Sequence, residues 1–277
     1  MNPKISKAVI LTAGLGTRFL PMTKVIPKAM LPIGSKPVIQ YLVEEAVNAG
    51  ITEILFVNGR GHRMIEDHFS HSAELAEELE KAGKTELLQE LKRIEKLAHF
   101  TYTIQEEPRG DGHALLLAQR WVNSEPFAVL FGDDIVDGPT SALAQIMEVY
   151  SQKGSPVLSV QTVPPERISS YGVIDIQATE GRQHEVKSLI EKPKPEEAPS
   201  SLGIIGKYIC PPEIFNAIET ATPSRDGELR LIDGLIHLLK QGHSIHALEI
   251  EGVRFDTGTQ EGLLEAQNHF AKMIKIC

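Results

Sequence analysis

Lys7-Ala8-Val9-Ile10-Leu11-Thr12 runs directly into Ala13-Gly14-Leu15-Gly16-Thr17-Arg18, a short apolar run followed by a Gly-rich turn. An apolar run of this length bounded by glycine reads as a strand buried on both faces. Outward from it, Pro37 to Ala49 carries an amphipathic helical pattern closed by Gly50, in the position where a left-handed residue ends a helix. Ile54 to Asn58 is a second strand ended by Asn58-Gly59, Met64 to Phe69 starts another helix, and Thr101–Gln105, Ala128–Gly132 and Val157–Val163 supply further strands. Strand, helix and strand in succession predict an α/β fold with a mixed, mostly parallel sheet and helices on both faces. In such sheets ligands bind beyond the carboxyl ends of the strands, which makes the turn after the first strand the candidate site.

Two regions depart from this alternation. Residues 71 to 98 place Leu75, Leu79, Leu87, Leu88, Leu91, Ile94 and Leu97 amid heavy charge, with Gly83 dividing them into two helices. The reading is a solvated helical insertion, at about 70–98, packed on the sheet edge. After about residue 165, Pro164-Pro165, Pro193, Pro195, Pro199 and Pro211-Pro212 break the chain into short strands, among them Tyr171 to Ile174 and Gly203 to Ile209. The stretch 256 to 276 reads as a helix opened at Thr257 to Thr259, with Leu263, Leu264, Ala266 and Phe270 facing inward. No linker or repeat divides the 277 residues, so one domain over 1–277 is expected.

Composition narrows the function classes. A net charge of −9 and a pI near 5.6 argue against a nucleic-acid surface, which needs a broad basic stripe. Cys210 and Cys277 make no disulfide framework and suit a reducing cytoplasm. The first apolar run is too short for a signal peptide, and none approaches the roughly 18 residues of a membrane span. A soluble cytoplasmic protein without membrane contact is expected.

Within this acidic chain the first forty residues contain six Lys or Arg and no Asp or Glu. Positive charge gathered around a glycine turn suits a small polyanion such as a triphosphate. Gly14 and Gly16 let backbone N–H groups approach phosphate oxygens, and Arg18 adds a planar fork. A dinucleotide fingerprint is excluded, because Phe19 stands at the third glycine position and the second strand ends in Asn58-Gly59 rather than an acid. Lys24 and Lys28, between Pro21, Pro27 and Pro32, are expected on a rigid extended loop that meets phosphate without reorganisation. A tight turn without ligand is the competing reading of the glycines, and a solvated loop lysine that of each Lys, the latter kept for Lys4 and Lys36.

Two further strand ends carry charge. Val129-Leu130-Phe131-Gly132-Asp133-Asp134 brings two carboxylates to an apolar strand, where they require a partner or a hard cation such as Mg²⁺. Asp256, in Phe255-Asp256-Thr257-Gly258-Thr259, is the candidate second ligand or else the N-cap of the last helix. Leu189-Ile190-Glu191-Lys192-Pro193 pairs an acid able to accept from sugar hydroxyls with a base for a sugar phosphate, or a plain surface ion pair.

Together these residues resemble the sugar-1-phosphate nucleotidylyltransferases, most closely the bacterial UTP:glucose-1-phosphate uridylyltransferases. The likeness runs from Lys7–Pro32 through Gln105–Ala114, Gly132–Ile135, Tyr171–Ile174, Glu191-Lys192-Pro193, Gly206-Lys207-Tyr208 and Gly227–Asp233 to Asp256–Ala266. The resemblance implies a Rossmann-like fold of the nucleotide-diphospho-sugar transferase type, with a sugar-binding region at about 165–255. It assigns nucleotide binding to Ala13, Gly14, Gly16, Thr17, Gln105 and Gly110, and the triphosphate to Arg18 and Lys28. It assigns sugar contacts to Gly172, Glu191 and Gly206, the sugar phosphate to Lys192, and Mg²⁺ to Asp133 and Asp256. UTP and glucose 1-phosphate would be the substrates, UDP-glucose and pyrophosphate the products, and a homodimer or homotetramer the assembly. Ala29 replaces the usual Glu of Pro-Lys-Glu-Met-Leu-Pro, and Asp111 an apolar residue. Gly132-Asp133-Asp134 and Asp256-Thr257-Gly258-Thr259 lean toward the thymidylyltransferases. A glucose-1-phosphate thymidylyltransferase or other sugar nucleotidylyltransferase and, from another class, a non-catalytic nucleotide-sugar-binding regulatory subunit are the alternative readings.

Overall fold

The computed structural model describes residues 2–223 and 227–272. The chain passes through β1 (Lys7–Thr12), a small hairpin of β2 (Pro32–Ile33) and β3 (Lys36–Pro37), α1 (Val38–Asn48), β4 (Glu53–Gly59), α2 (Arg63–Phe69), α3 (Ala73–Lys81), α4 (Thr85–Glu95) and β5 (His99–Gln105). It continues through α5 (Asp111–Leu116), α6 (Gln119–Val122), β6 (Phe127–Phe131), β7 (Asp134–Asp137), α7 (Ala142–Lys153), β8 (Val157–Thr162), β9 (Gly172–Glu180) and β10 (Gln183–Glu191). The last part is β11 (Leu202–Cys210), α8 (Ile214–Thr220), α9 (Leu231–Lys240), β12 (His246–Glu249), β13 (Val253–Asp256) and α10 (Gln260–Ala271).

Nine strands form one sheet in the order β5-β4-β1-β6-β11-β8-β12-β10-β9. The half from β5 to β6 is parallel, whereas β11 runs antiparallel to both its neighbours and β10 to both of its own. The mixed character therefore belongs to the second half, where β12 still runs parallel to β8 and the Pro-rich segments lead into β9 and β11.

The central strands show why their sequences read as continuous apolar runs. Ala8, Ile10, Ile54, Phe56, Ala128 and Leu130 enter the core layer beneath α1, α7 and α10, and the alternate residues Val9, Leu11, Leu55, Val57, Phe127 and Val129 enter the layer beneath α5, α8 and α9. A pleated strand covered on both faces needs apolar side chains at every position.

Several expectations are adjusted. The loop after β1 is not extended: its prolines separate three one-turn 3₁₀ segments, Thr17–Phe19, Met22–Lys24 and Lys28–Met30. Leu264 lies 57% exposed and does not face inward, while Leu263 and Ala266 do. Helix α10 is capped by the Thr259 hydroxyl, which accepts from Gly262 N at 3.1 Å, so Asp256 is not its N-cap. The last residues of that expected helix, 273 to 276, and Cys277 lie outside the described residues. The insertion is two amphipathic helices broken at Gly83, as read; Ile94 and Leu97 pack against the core edge and Leu75 and Leu87 stay exposed.

Candidate active site

At the end of β1 the backbone turns through Gly16 in a left-handed conformation (φ 62°), held by Thr23 Oγ1 donating to its carbonyl at 2.7 Å. A side chain at Gly14 would press within 3.3 Å of Lys28 Cε and Nζ, so the glycine lets the lysine lie across the turn. Ala13, Gly14, Gly16, Thr17, Arg18, Lys28, Gln105 and Gly110 all line one cleft of about 470 Å³. Lys24, on the middle 3₁₀ turn, does not line it.

Gln105 closes the far wall of this lobe. Its amide nitrogen donates to Gly110 O at 3.0 Å and lies 3.0 Å from His113 Nδ1. Gly110 has φ 103°, and any Cβ there would strike the backbone of Leu229. The loop is zipped to that segment, with Leu229 N donating to Arg109 O (3.0 Å) and Gly112 N to Leu229 O (2.9 Å).

The carboxylates come together because β7 pairs antiparallel with β13, setting Asp134 opposite Asp256. Thr257 donates to Asp133 O through both its N–H and its hydroxyl at 2.8 Å, and Gly258 N donates to Asp256 Oδ1 at 3.1 Å. A Cβ on Gly258 would collide with Asp133 Oδ2 and crowd Asp256 Oδ1, so both carboxylates converge on space that only glycine leaves open. Burial, and then the Asp133 charge, raise the Asp256 carboxyl above its ordinary range. Asp133 forms an ion pair with Lys28, joining the basic turn to the acidic strand end.

Asp134 plays a different part. Arg254 grips it with Nε at 2.8 and 3.0 Å and a terminal nitrogen at 2.7 Å, and Gly206 N donates to it at 3.0 Å. Burial opposes ionisation, but Arg254, with the Lys207 charge and the Gly206 N–H, more than offsets this and holds the carboxyl below its ordinary value. Arg254 also donates to Tyr171 Oη at 3.0 Å. Beneath them Lys207, fully buried, meets Glu45 at 3.0 Å and donates to Asp134 O at 2.7 Å.

A second lobe of about 340 Å³ is lined by Gly172, Glu191, Lys192 and Gly206 and shares Arg18, Asp111, Phe131, Asp133 and Glu228 with the first. Glu191 Oε1 lies 3.4 Å from Lys192 Nζ and 3.5 Å from Arg230 Nε, so the ion pair considered from sequence is present, within the cleft wall. Lys192 itself is left-handed (φ 46°), with its N–H donating to Tyr171 O at 3.1 Å. Gly172 and Gly206 are also demanded by packing: a Cβ would come within 2.7 Å of Ile232 Cδ1 and Phe131 Cβ respectively.

Sequence reading missed Arg254, Lys207, Glu45, Arg230 and His113. Arg254 carried one signal, its place two residues before Asp256 on a short strand, which puts both on one face. Asp111 is a helix anchor: its carboxylate accepts from Leu231 N at 2.7 Å at the start of α9, and burial pushes it up to about 6 against that hydrogen bond. Ala29 is buried in the apolar layer beneath α1 and does not line either lobe.

A cleft with a basic glycine turn at one end, paired carboxylates at its centre and a Glu-Lys wall at the other fits two anionic substrates meeting near Asp133. Known proteins share both sequence and shape with this chain. The family described as nucleotidyl transferase matches residues 7–273. The UTP--glucose-1-phosphate uridylyltransferase YngB of Bacillus subtilis (strain 168) is 47% identical over 273 residues, covering 99% of this chain and 92% of that protein. A UDP-glucose pyrophosphorylase solved in complex with UDP-glucose superposes with a TM-score of 0.89 at 37% identity, over 98% of this chain and 100% of that one. The UTP-bound enzyme of the same kind from Acinetobacter baumannii gives 0.90 at 34% identity, over 98% and 95%. With near-complete coverage in sequence and fold, the chain belongs to the nucleotidyl transferase family.

Proposed function

We propose that the chain is a UTP–glucose-1-phosphate uridylyltransferase, joining UTP and glucose 1-phosphate to give UDP-glucose and pyrophosphate. The observation that carries this reading is the single two-lobed cleft, in which the residues assigned to nucleotide and to sugar phosphate meet at Asp133. Relatives of that name at 47% identity and the UTP- and UDP-glucose-bound structures support it.

In this reading Ala13, Gly14, Gln105 and Gly110 seat the uracil, with Gly16 and Thr17 continuing the turn. Arg18 and Lys28 hold the triphosphate. Glu191 accepts from glucose hydroxyls beside Gly172 and Gly206, and Lys192 holds the sugar phosphate. A phosphate oxygen of glucose 1-phosphate attacks the α-phosphorus of UTP in line, and pyrophosphate leaves. Positioning and charge neutralisation carry such a transfer, without a covalent enzyme intermediate. Lys28 exchanges its Asp133 partner for phosphate when nucleotide enters; at an effective dielectric near 20, a pair at about 4 Å is worth about 4 kcal/mol.

Asp133 and Asp256 fit a hard divalent cation such as Mg²⁺. Their oxygens converge at Gly258, and the burial and the Asp133 charge that together raise the Asp256 carboxyl are what a bound cation would offset. No cluster of three or more His, Cys, Asp or Glu able to hold a metal occurs among the described residues, so substrate phosphates and water would complete an octahedron. Bound there, the ion would neutralise phosphate charge.

The test is pyrophosphate release from four nucleoside triphosphates with glucose 1-phosphate, with and without Mg²⁺. Turnover is expected with UTP and Mg²⁺. Preference for dTTP would transfer the chain to the thymidylyltransferases, and no turnover with any triphosphate would leave a binding subunit. Assembly as a homodimer or homotetramer in the cytoplasm is proposed alongside, and light scattering of the purified chain decides the assembly. No described helix is long and apolar enough to cross a membrane.

A further inference from the structure

The Gln105 amide is held in one orientation by its surroundings. Gly110 O, 3.0 Å away, can only accept, so the Gln105 atom facing it is the nitrogen. The same nitrogen lies 3.0 Å from His113 Nδ1, which must therefore accept as well, making His113 the neutral Nε2–H tautomer. Burial, and next the Arg109 charge, lower the His113 pKa, opposed by Glu107, in keeping with a neutral ring. With both amide hydrogens engaged, rotation would set Oε1 against the Gly110 carbonyl and force His113 into the other tautomer. Gln105 is 6% exposed and lines the nucleotide lobe, and its two side-chain hydrogen bonds among the described residues both run through the amide nitrogen.

We propose that His113 is a positioning residue that locks the Gln105 carbonyl oxygen toward the base, making the cleft select pyrimidines with a ring N–H over cytosine. The inference rests on the uridylyltransferase reading for the placement of the base at Gln105. Uracil and thymine carry a proton at N3 that Oε1 can accept; cytosine presents a lone pair there. A buried acceptor facing another acceptor is left unsatisfied, a cost equivalent to about 10- to 100-fold in affinity. Thymine keeps the N3 proton, so this device does not separate UTP from dTTP.

The experiment is titration calorimetry of UTP and CTP on the full chain and on His113→Leu and His113→Asn, with His113→Ala replacing the leucine variant if that one unfolds. Asn places Oδ1 on Cγ much as His places Nδ1 and keeps the acceptor. The native chain should bind UTP at least about tenfold tighter than CTP; H113L should bring the two within about threefold, and H113N should keep most of the preference. In steady state H113L should raise KM for UTP about tenfold while kcat and KM for glucose 1-phosphate stay within about twofold. An unchanged UTP-to-CTP ratio in H113L, an H113N variant as indiscriminate as H113L, or equal changes in both substrates' KM would overturn the proposal. UTP binding with the expected ratios but no turnover would overturn the uridylyltransferase reading alone.

Discussion

Replacing Arg254 by Met should cost about 3–5 kcal/mol of folding stability at neutral pH, because the substitution leaves a buried carboxylate without its charge partner. Asp134 and Arg254 side chains are 7% and 10% exposed, and three hydrogen bonds of 2.7–3.0 Å join them. Met fills the apolar part of the arginine's volume, so the loss is electrostatic rather than a cavity. What remains around Asp134 is the Gly206 N–H and the nearby Lys207 charge. The pH dependence distinguishes this cause from general damage. In the native chain the Asp134 pKa is lowered, so its contribution is present above the unfolded value of about 3.9 and is lost as pH falls through the folded one. In the variant, Asp134 takes up a proton on folding, so the penalty is largest near pH 7 and shrinks toward pH 4. Urea unfolding followed by circular dichroism at pH 4, 5.5 and 7 measures both, and Arg254→Met with Asp134→Asn should recover about 2 kcal/mol of the loss. A penalty below about 1 kcal/mol at pH 7, or one that stays constant as the pH is lowered, would refute the reasoning.

Asp133→Asn should lower kcat by about 10³-fold while changing stability by less than about 1 kcal/mol, since losing the attraction to Lys28 is offset by relief of the repulsion between Asp133 and Asp256; coupled pyrophosphate detection and urea unfolding check the two halves. Gly258→Ala should reduce kcat about 10²-fold through displacement of Asp133 and Asp256, at about 1–3 kcal/mol in stability, and an active, fully stable variant would show that the carboxylates do not depend on that gap. Asp111, with a folded pKa raised to about 6 against about 3.9 unfolded, contributes stability that is present below about pH 4 and lost as pH rises through about 6. Asp111→Asn keeps an acceptor for Leu231 N–H and should remove that decline, gaining about 1–2 kcal/mol at pH 7 after solvent screening, as read from unfolding curves between pH 4 and 7.5.

Legibility followed the range of the interaction. Strand β1 and its glycine turn were readable because apolar continuity, the φ of Gly16 and the chemistry of Arg18 are local properties. The helical insertion was readable for the same reason, its period and its break at Gly83 lying within thirty residues. The inward orientation expected of Leu264 failed because α10 buries a narrower stripe than its composition suggests, a matter of what packs against it. The extended loop expected before Pro32 failed because proline fixes φ alone, and the carbonyls that close the 3₁₀ turns are supplied by neighbouring residues.

The sequence alone determined the parallel half of the sheet and the basic glycine turn at one end of the cleft, and the family resemblance pointed to fewer than half of the residues that line it. The sequence also determined the absence of acids in the first forty residues, which leaves Arg18 and Lys28 uncompensated locally. Only the tertiary structure decided which carboxylate does what. Asp133 and Asp134 are adjacent and alike on paper; pairing β7 with β13 turns Asp134 under Arg254 and leaves Asp133 facing Lys28 and the cleft. The same holds for Gln105, whose two possible amide orientations are chosen by Gly110 O and His113. Charge partners more than a hundred residues apart are brought within hydrogen-bond distance by strand register, and register is a property of the assembled sheet.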